Sequence, residues 1–173
     1  ITAMAVAGGI EKTTGLECKI KWPNDIVVHG KKVCGILTEM STQMDYINYI
    51  VIGIGINVQN ESFPEEIGEV ATSLWIESGK KQKRAAIIEA VWEEFEKYYD
   101  IYLKTEDMQG LVGEYDQKLA NMNKQVRVLD PKDPYEGTAR GITPKGELIV
   151  DTWEARKLVS SGEVSVRGLY GYV

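Results

Sequence analysis

Apolar residues fall at helical spacing over Thr2 to Thr14, where Ala3, Val6, Ala7 and Ile10 share one face. Gly15 is placed to close that helix as its C-cap. The pattern then becomes extended. Cys18 to Trp22 reads as a strand, because Pro23 keeps Trp22 out of helical geometry. Asn24-Asp25 is turn chemistry, Ile26 to His29 is a strand, and Gly30-Lys31 turns tightly into Val33 to Met40. A polar turn over Gln43 to Asp45 leads to the longest strand, Tyr46 to Ile56, and then to a loop from Asn57 to about Ala71. Lys80 to Lys104 is the clearest helix. Its Ile87, Ile88, Val91, Trp92, Phe95, Tyr98, Tyr99 and Tyr102 recur three and four apart, a face expected to form core against the sheet. Glu106 to Ala120 predicts a weaker helix.

Near Asn121 the period changes to two. Gln125 to Leu129, Tyr135 to Ile142, Glu147 to Asp151, Arg156 to Ser160 and Glu163 to Arg167 read as short strands, punctuated by prolines and glycines. The expected organisation is an α+β core with a mixed β-sheet over residues 1–120, followed by a small β-barrel over residues 121–173.

Composition narrows the function. A net charge of −6 with scattered Lys and Arg argues against wrapping nucleic acid, which needs clustered cations. The one run, Lys80 to Arg84, reads as a solvent-exposed helix start. Cys18 and Cys34 make neither a C-x-x-C nor a zinc set, and read as free thiols in a reducing cytoplasm. No signal peptide or bilayer-spanning run is visible, so no membrane partner is expected. The sequence opens at Ile1 inside a helical pattern, which predicts a piece of a longer chain.

The long strand carries the first candidate chemistry. Ile50, Ile52, Ile54 and Ile56 share one face, expected to be core; Val51, Gly53, Gly55 and Asn57 share the other. Two glycines and an amide make a ledge of bare backbone ending in a polar hook. Such glycines serve equally to admit a ligand or a packed helix. In the preceding strand Val33, Gly35 and Leu37 share a face, so a hairpin could set Gly35 beside Gly53 or Gly55. That slot would suit a flat bicyclic ligand. Lys21 and Lys32 sit at strand ends, where an ammonium can hold a carboxylate or phosphate, although a single lysine is most often a solvated surface group. His29 reads as a surface turn residue. Trp75 fits stacking on a purine and burial equally well.

Three motifs in order, Lys21-Trp-Pro-Asn-Asp25, Gly30-Lys-Lys-Val-Cys-Gly-Ile-Leu-Thr-Glu39 and Gly53-Ile-Gly-Ile-Asn57, resemble the biotin–protein ligase family. Ala71-Thr-Ser-Leu74 and Gly162-Glu-Val-Ser-Val-Arg167 extend the resemblance to the C-terminal part, which is similar to that family's SH3-like barrel. The resemblance implies a class II synthetase-like ligase core and an ATP-dependent biotin–[acetyl-CoA-carboxylase] ligase using Mg²⁺. Biotin's carboxylate would attack the α-phosphate of ATP, and the biotinyl-5′-adenylate would then acylate a lysine of a biotin carboxyl carrier protein. It implies Lys32 and Lys21 as catalytic cations, with Lys32, Gly35, Ile36, Leu37, Gly53 and Gly55 around biotin. It implies Asn24, Asp25, Asn57, Glu163 and Arg167 around ATP, and no metal site made by the protein alone. A homodimer is the implied assembly. The family's Gly-Arg-Gly-Arg-x-Gly-Arg loop is not in this sequence, so the chain alone is expected to be weak or inactive. The rivals are a lipoate–protein ligase, which needs a longer apolar pocket, and a bifunctional ligase and biotin-sensing co-repressor, which binds DNA only if a helix-turn-helix lies upstream.

Overall fold

The computed structural model describes residues 1–131, 133–161, 165–168 and 172–173. Helix α1 (Thr2–Thr14) ends where Gly15 takes left-handed geometry at φ 74° and bonds the Glu11 carbonyl. Four strands follow in chain order across one sheet: β1 (Lys19–Lys21), β2 (Asp25–Val28), β3 (Lys31–Gln43) and β4 (Tyr46–Ile56). Their ladders are antiparallel, and isolated parallel bridges from Ile20 to Leu119 and from Lys32 to Ala71 make the sheet mixed. The β2–β3 turn is made by His29 (φ 49°) and Gly30 (φ 79°), one residue earlier than the sequence suggests. Two left-handed residues suit a two-residue hairpin turn.

Between the sheet and the long helix lie α2 (Glu65–Gly68) and α3 (Leu74–Ser78). The Ser73 hydroxyl accepts from the Ile76 N–H, and Gly79 closes α3 at φ 68°. That stop explains why α4 (Arg84–Thr105) starts four residues later than Lys80. The second predicted helix shrinks to α5 (Val112–Lys118). Glu106 ends α4 in left-handed geometry, and the chain turns back beneath it, with Gly110 tucked against Ile101.

α4 corrects another expectation. It packs mainly on α1, which rests on β1 and β2. A Cβ on Gly9 would lie 2.7 Å from the Val91 backbone nitrogen, so only glycine allows that approach. The buried stripe is therefore narrow: Ile87, Ala90, Val91 and Tyr98. Trp92 and Tyr99 are exposed, and Trp92, Phe95, Tyr99 and Tyr102 instead pack ring to ring along the helix.

The isoleucine face is also corrected. Ile50, Ile52 and Ile54 are exposed and Ile56 is half-buried. With Trp92 and Phe95 they line an open apolar groove of about 370 Å³. The alternation falls where the sequence predicts it, but no described element covers that face.

The C-terminal part is a five-stranded antiparallel sheet in the order β8-β7-β6-β5-β9. Its strands are β5 (Gln125–Leu129), β6 (Tyr135–Ile142), β7 (Leu148–Asp151), β8 (Arg156–Val159) and β9 (Ser165–Gly168). Val126, Val128, Ala139, Leu148, Val150, Val159 and Val166 fill its core, the build of a small SH3-like domain. It is tied to the first sheet and to α5 by hydrogen bonds that include the next two. The Trp22 indole donates to the Gly146 carbonyl at 3.0 Å, and Asp116 Oδ1 accepts from the Ile142 N–H at 3.0 Å. Among the described residues, no helix is long and apolar enough to cross a membrane.

Candidate functional site: a cationic cleft over bare backbone

The β3–β4 register pairs Gly35 with Gly55 and Leu37 with Gly53. Cross-strand partners share a face, so three glycines lie together. A Cβ on Gly53 or Gly55 would meet nothing nearer than a carbonyl oxygen at 3.7 Å. Space, rather than a packed helix, stands over that backbone. The cleft has a volume of about 530 Å³ and is lined by Asn24, Asp25, Lys32, Gly35, Ile36, Leu37, Gly53, Ile54 and Gly55.

β2 contributes the charged wall. Asp25 pairs with Gly35, and its Oδ1 lies 2.6 Å from the Lys32 ammonium. The ammonium in turn sits directly above Gly35, 3.1 Å from where a Cβ would be. Lys32 is held there because β3 begins at Lys31, and its own N–H and C=O bond Val70 and Thr72. Lys21, at the end of β1, is buried 4.0 Å from Asp25 Oδ2. Burial holds the Lys21 ammonium below the usual lysine range; Asp25 opposes that shift, while Lys32 and Arg167 add to it. A carboxylate is thus surrounded by cations in a partly dry site, where an added anion would be attracted strongly.

Asn24 closes the end of the cleft. Its side-chain amide donates to the Ile36 carbonyl at 2.7 Å, and its own carbonyl accepts from the Ile36 N–H at 2.9 Å. Ile36 therefore contributes to the cleft wall with its peptide groups already bonded. Asn57 lies apart from the lining: its amide donates to the Thr72 carbonyl at 3.1 Å. Arg167 lines a neighbouring hollow with Arg127, Leu129 and Gly168, and its charge reaches Lys21. The expected alternation in β9 holds for Val166, which is buried, and Arg167, which is exposed. Glu163 falls outside the described residues.

Tyr172 was missed. Its hydroxyl hydrogen-bonds Asp25 Oδ2, and its ring lies 3.9 Å from the Lys21 ammonium. No local sequence signal could reveal a partner 147 positions away. The other candidates are structural. His29 contacts Glu77 at the surface, and the Cys18 and Cys34 thiols are buried, pushed up to about 12. Trp75 is half-buried, with the Lys81 ammonium 4.7 Å above its ring.

Comparison with known proteins bears on this geometry. Residues 2–57 match the Biotin/lipoate A/B protein ligase family, and residues 122–167 match the Biotin protein ligase C terminal domain. The bifunctional ligase/repressor BirA of Bacillus spizizenii is 37% identical over 168 residues, 96% of this chain and 51% of the relative. The biotin–[acetyl-CoA-carboxylase] ligase of Mycobacterium tuberculosis is 32% identical over 149 residues, 86% of this chain and 53% of that protein. The chain thus spans about half the length of these curated relatives. The biotin protein ligase of Aquifex aeolicus, solved in complex with biotin and ATP, superposes with a TM-score of 0.84 at 28% identity, covering 97% of this chain and 69% of that one. In sequence and in fold, this chain belongs to the biotin protein ligase family.

Proposed function

We propose that this chain carries the adenylate-forming site of an ATP-dependent biotin–protein ligase. The observation that carries the reading is the Lys32 ammonium poised over the bare Gly35–Gly55 backbone, with Lys21 buried beside the same carboxylate. The reaction brings two anions together, biotin's carboxylate and the α-phosphate, so fixed positive charge must offset their repulsion. On entry of a carboxylate, Lys32 exchanges its Asp25 contact for the ligand. Biotin's fused rings lie along Gly35, Leu37, Gly53 and Gly55, where no side chain intervenes. The carboxylate oxygen attacks the α-phosphorus and pyrophosphate leaves. A lysine of the biotin carboxyl carrier protein then attacks the mixed anhydride, releasing AMP. Asn24, Asp25 and Arg167 lie toward the nucleotide side, and Asn57 supports that wall through Thr72. The biotin- and ATP-bound relative supports this substrate pair.

Among the described residues no three His, Cys, Asp or Glu side chains gather to hold a metal. Asp25 is already engaged by Lys32 and Tyr172. Mg²⁺ would come with the ATP phosphates, where it would neutralise charge. The cytoplasm, with its nucleotide pool, is the compartment this chemistry suits. The test is exchange of labelled pyrophosphate into ATP by the full-length protein. Exchange is expected with biotin and not with lipoate; the reverse would make it a lipoate ligase. A second role as co-repressor is favoured by the name of the Bacillus relative. Biotin-dependent retention of DNA by the full-length protein tests that role.

A further inference from the structure

Tyr172, at the end of the chain, reaches into the catalytic cleft from the C-terminal domain. Three groups compete for Asp25. Lys32 takes Oδ1 at 2.6 Å, the Tyr172 hydroxyl donates to Oδ2, and Lys21 waits at 4.0 Å from that same oxygen. At 4.0 Å Lys21 has not closed to hydrogen-bond distance. The ring of Tyr172, 3.9 Å from the ammonium, is a second partner that holds Lys21 without closing it onto the carboxylate. We infer that Tyr172 is a positioning residue: its hydroxyl occupies Asp25 Oδ2 and so keeps Lys21 available to an incoming phosphate or carboxylate.

The inference rests on the ligase reading only in taking Lys21 as an anion-binding cation. The hydroxyl is a dependable donor, since burial and the Asp25 carboxylate both push its ionisation well above the ordinary tyrosine value. The groups facing Lys21 are Asp25, Lys32, Arg167 and Tyr172. Removing the hydroxyl alone frees Oδ2, and Lys21, 4.0 Å away, can close onto it. A closed Lys21–Asp25 pair holds its proton more firmly and offers less charge to a ligand.

The test uses Tyr172→Phe, which keeps the ring, and Tyr172→Ala, which removes both features. Lysines are ¹³C-methylated and the Lys21 signal is followed against pH in the ligand-free chain, while inorganic pyrophosphate binding is measured by calorimetry. Tyr172→Phe is expected to raise the Lys21 titration midpoint and weaken pyrophosphate about fivefold, the scale of one hydrogen bond. Circular dichroism should match the unaltered protein. Tyr172→Ala should weaken pyrophosphate further, because the ring is lost as well. An unmoved Lys21 midpoint in Tyr172→Phe overturns the role of the hydroxyl. Equal pyrophosphate affinity in all three proteins overturns the role of the residue. Failure of biotin-dependent exchange in the unaltered protein sinks the ligase reading alone, because the Lys21 titration requires no biotin.

Discussion

The two faces of the β3–β4 hairpin are built from alternate residues of the same strands. One presents Gly35, Gly53 and Gly55 beneath the Lys32 ammonium; the other presents Ile50, Ile52 and Ile54 to an open groove. Neither face is covered by a described element, yet they differ in how they are held. The glycine face is bounded by a charge network of named partners, Asp25 with Lys32, Lys21 and Tyr172. The isoleucine face looks onto a mostly apolar groove with no charged side chain in its lining. Exposure alone therefore does not mark the site; fixed charge next to stripped backbone does.

The largest effect should come from removing the central cation. Lys32→Ala is expected to lower biotin-dependent pyrophosphate exchange about 10²-fold, the usual scale for one preorganised electrostatic contact. Lys31→Ala, one residue away and outside the cleft lining, should change it by less than about threefold. Equal losses in the two would dissolve the contrast between faces.

Next come the glycines. Adding a methyl at Gly35 places it 3.1 Å from the Lys32 Cε and Nζ, so the flexible lysine must move. Gly35→Ala should leave the melting temperature unchanged and lower the turnover number about tenfold, because a displaced cation misses the reacting oxygen. At Gly55 the methyl has 3.7 Å of room and displaces nothing in the protein. Gly55→Ala should instead raise the KM for biotin several-fold with turnover preserved. Steady-state kinetics separates the two; a swap of the pattern would put biotin elsewhere.

A pH series probes the charged wall further. Lys21 titrates below its ordinary value of 10.5 when folded, chiefly through burial. The unfolded chain then binds the proton more tightly, so folding carries a cost while Lys21 is charged, and the cost falls as pH rises through the folded value. Urea midpoints of the unaltered chain and of Lys21→Met, compared between pH 7 and 10, should converge with rising pH. Parallel curves would mean that Lys21 is solvated.

Much of this was legible in the sequence, for local reasons. Gly15 closes α1, the strand Tyr46–Ile56 has its expected ends, and the hairpin sets Gly35 beside Gly55, because turn chemistry and period-two alternation act over a few residues. Eight of the expected site residues line one cleft for the same reason: Asn24, Asp25, Lys32, Gly35, Ile36, Leu37, Gly53 and Gly55. Lys21 and Asn57 stand outside that lining, Lys21 beside Asp25 and Asn57 against the Thr72 carbonyl, and Tyr172, which no local signal announces, arrives from the far end of the chain. The α4 aromatics pattern as core because an apolar stripe says that a face is apolar, not what lies against it. α1 occupies the position in which the sheet was expected, and its small residues accept only a narrow stripe of α4.

The smallest expected effect lies on the isoleucine face and tests that last point. Ile50 and Ile26 are both isoleucines on strands of one sheet, so strand propensity is shared. Ile26 is fully buried in the core, whereas Ile50 is half exposed. Threonine keeps the β-branch, and therefore the backbone preference, while exchanging a larger alkyl group for a hydroxyl. At Ile26 the hydroxyl loses water and leaves unfilled volume, so Ile26→Thr should cost about 2 kcal/mol in urea unfolding. At Ile50 the hydroxyl stays wet and the groove is already open, so the cost should stay within about 0.5 kcal/mol. If Ile50→Thr is as damaging as Ile26→Thr, the isoleucine face is packed in solution and its openness is not a property of the folded chain.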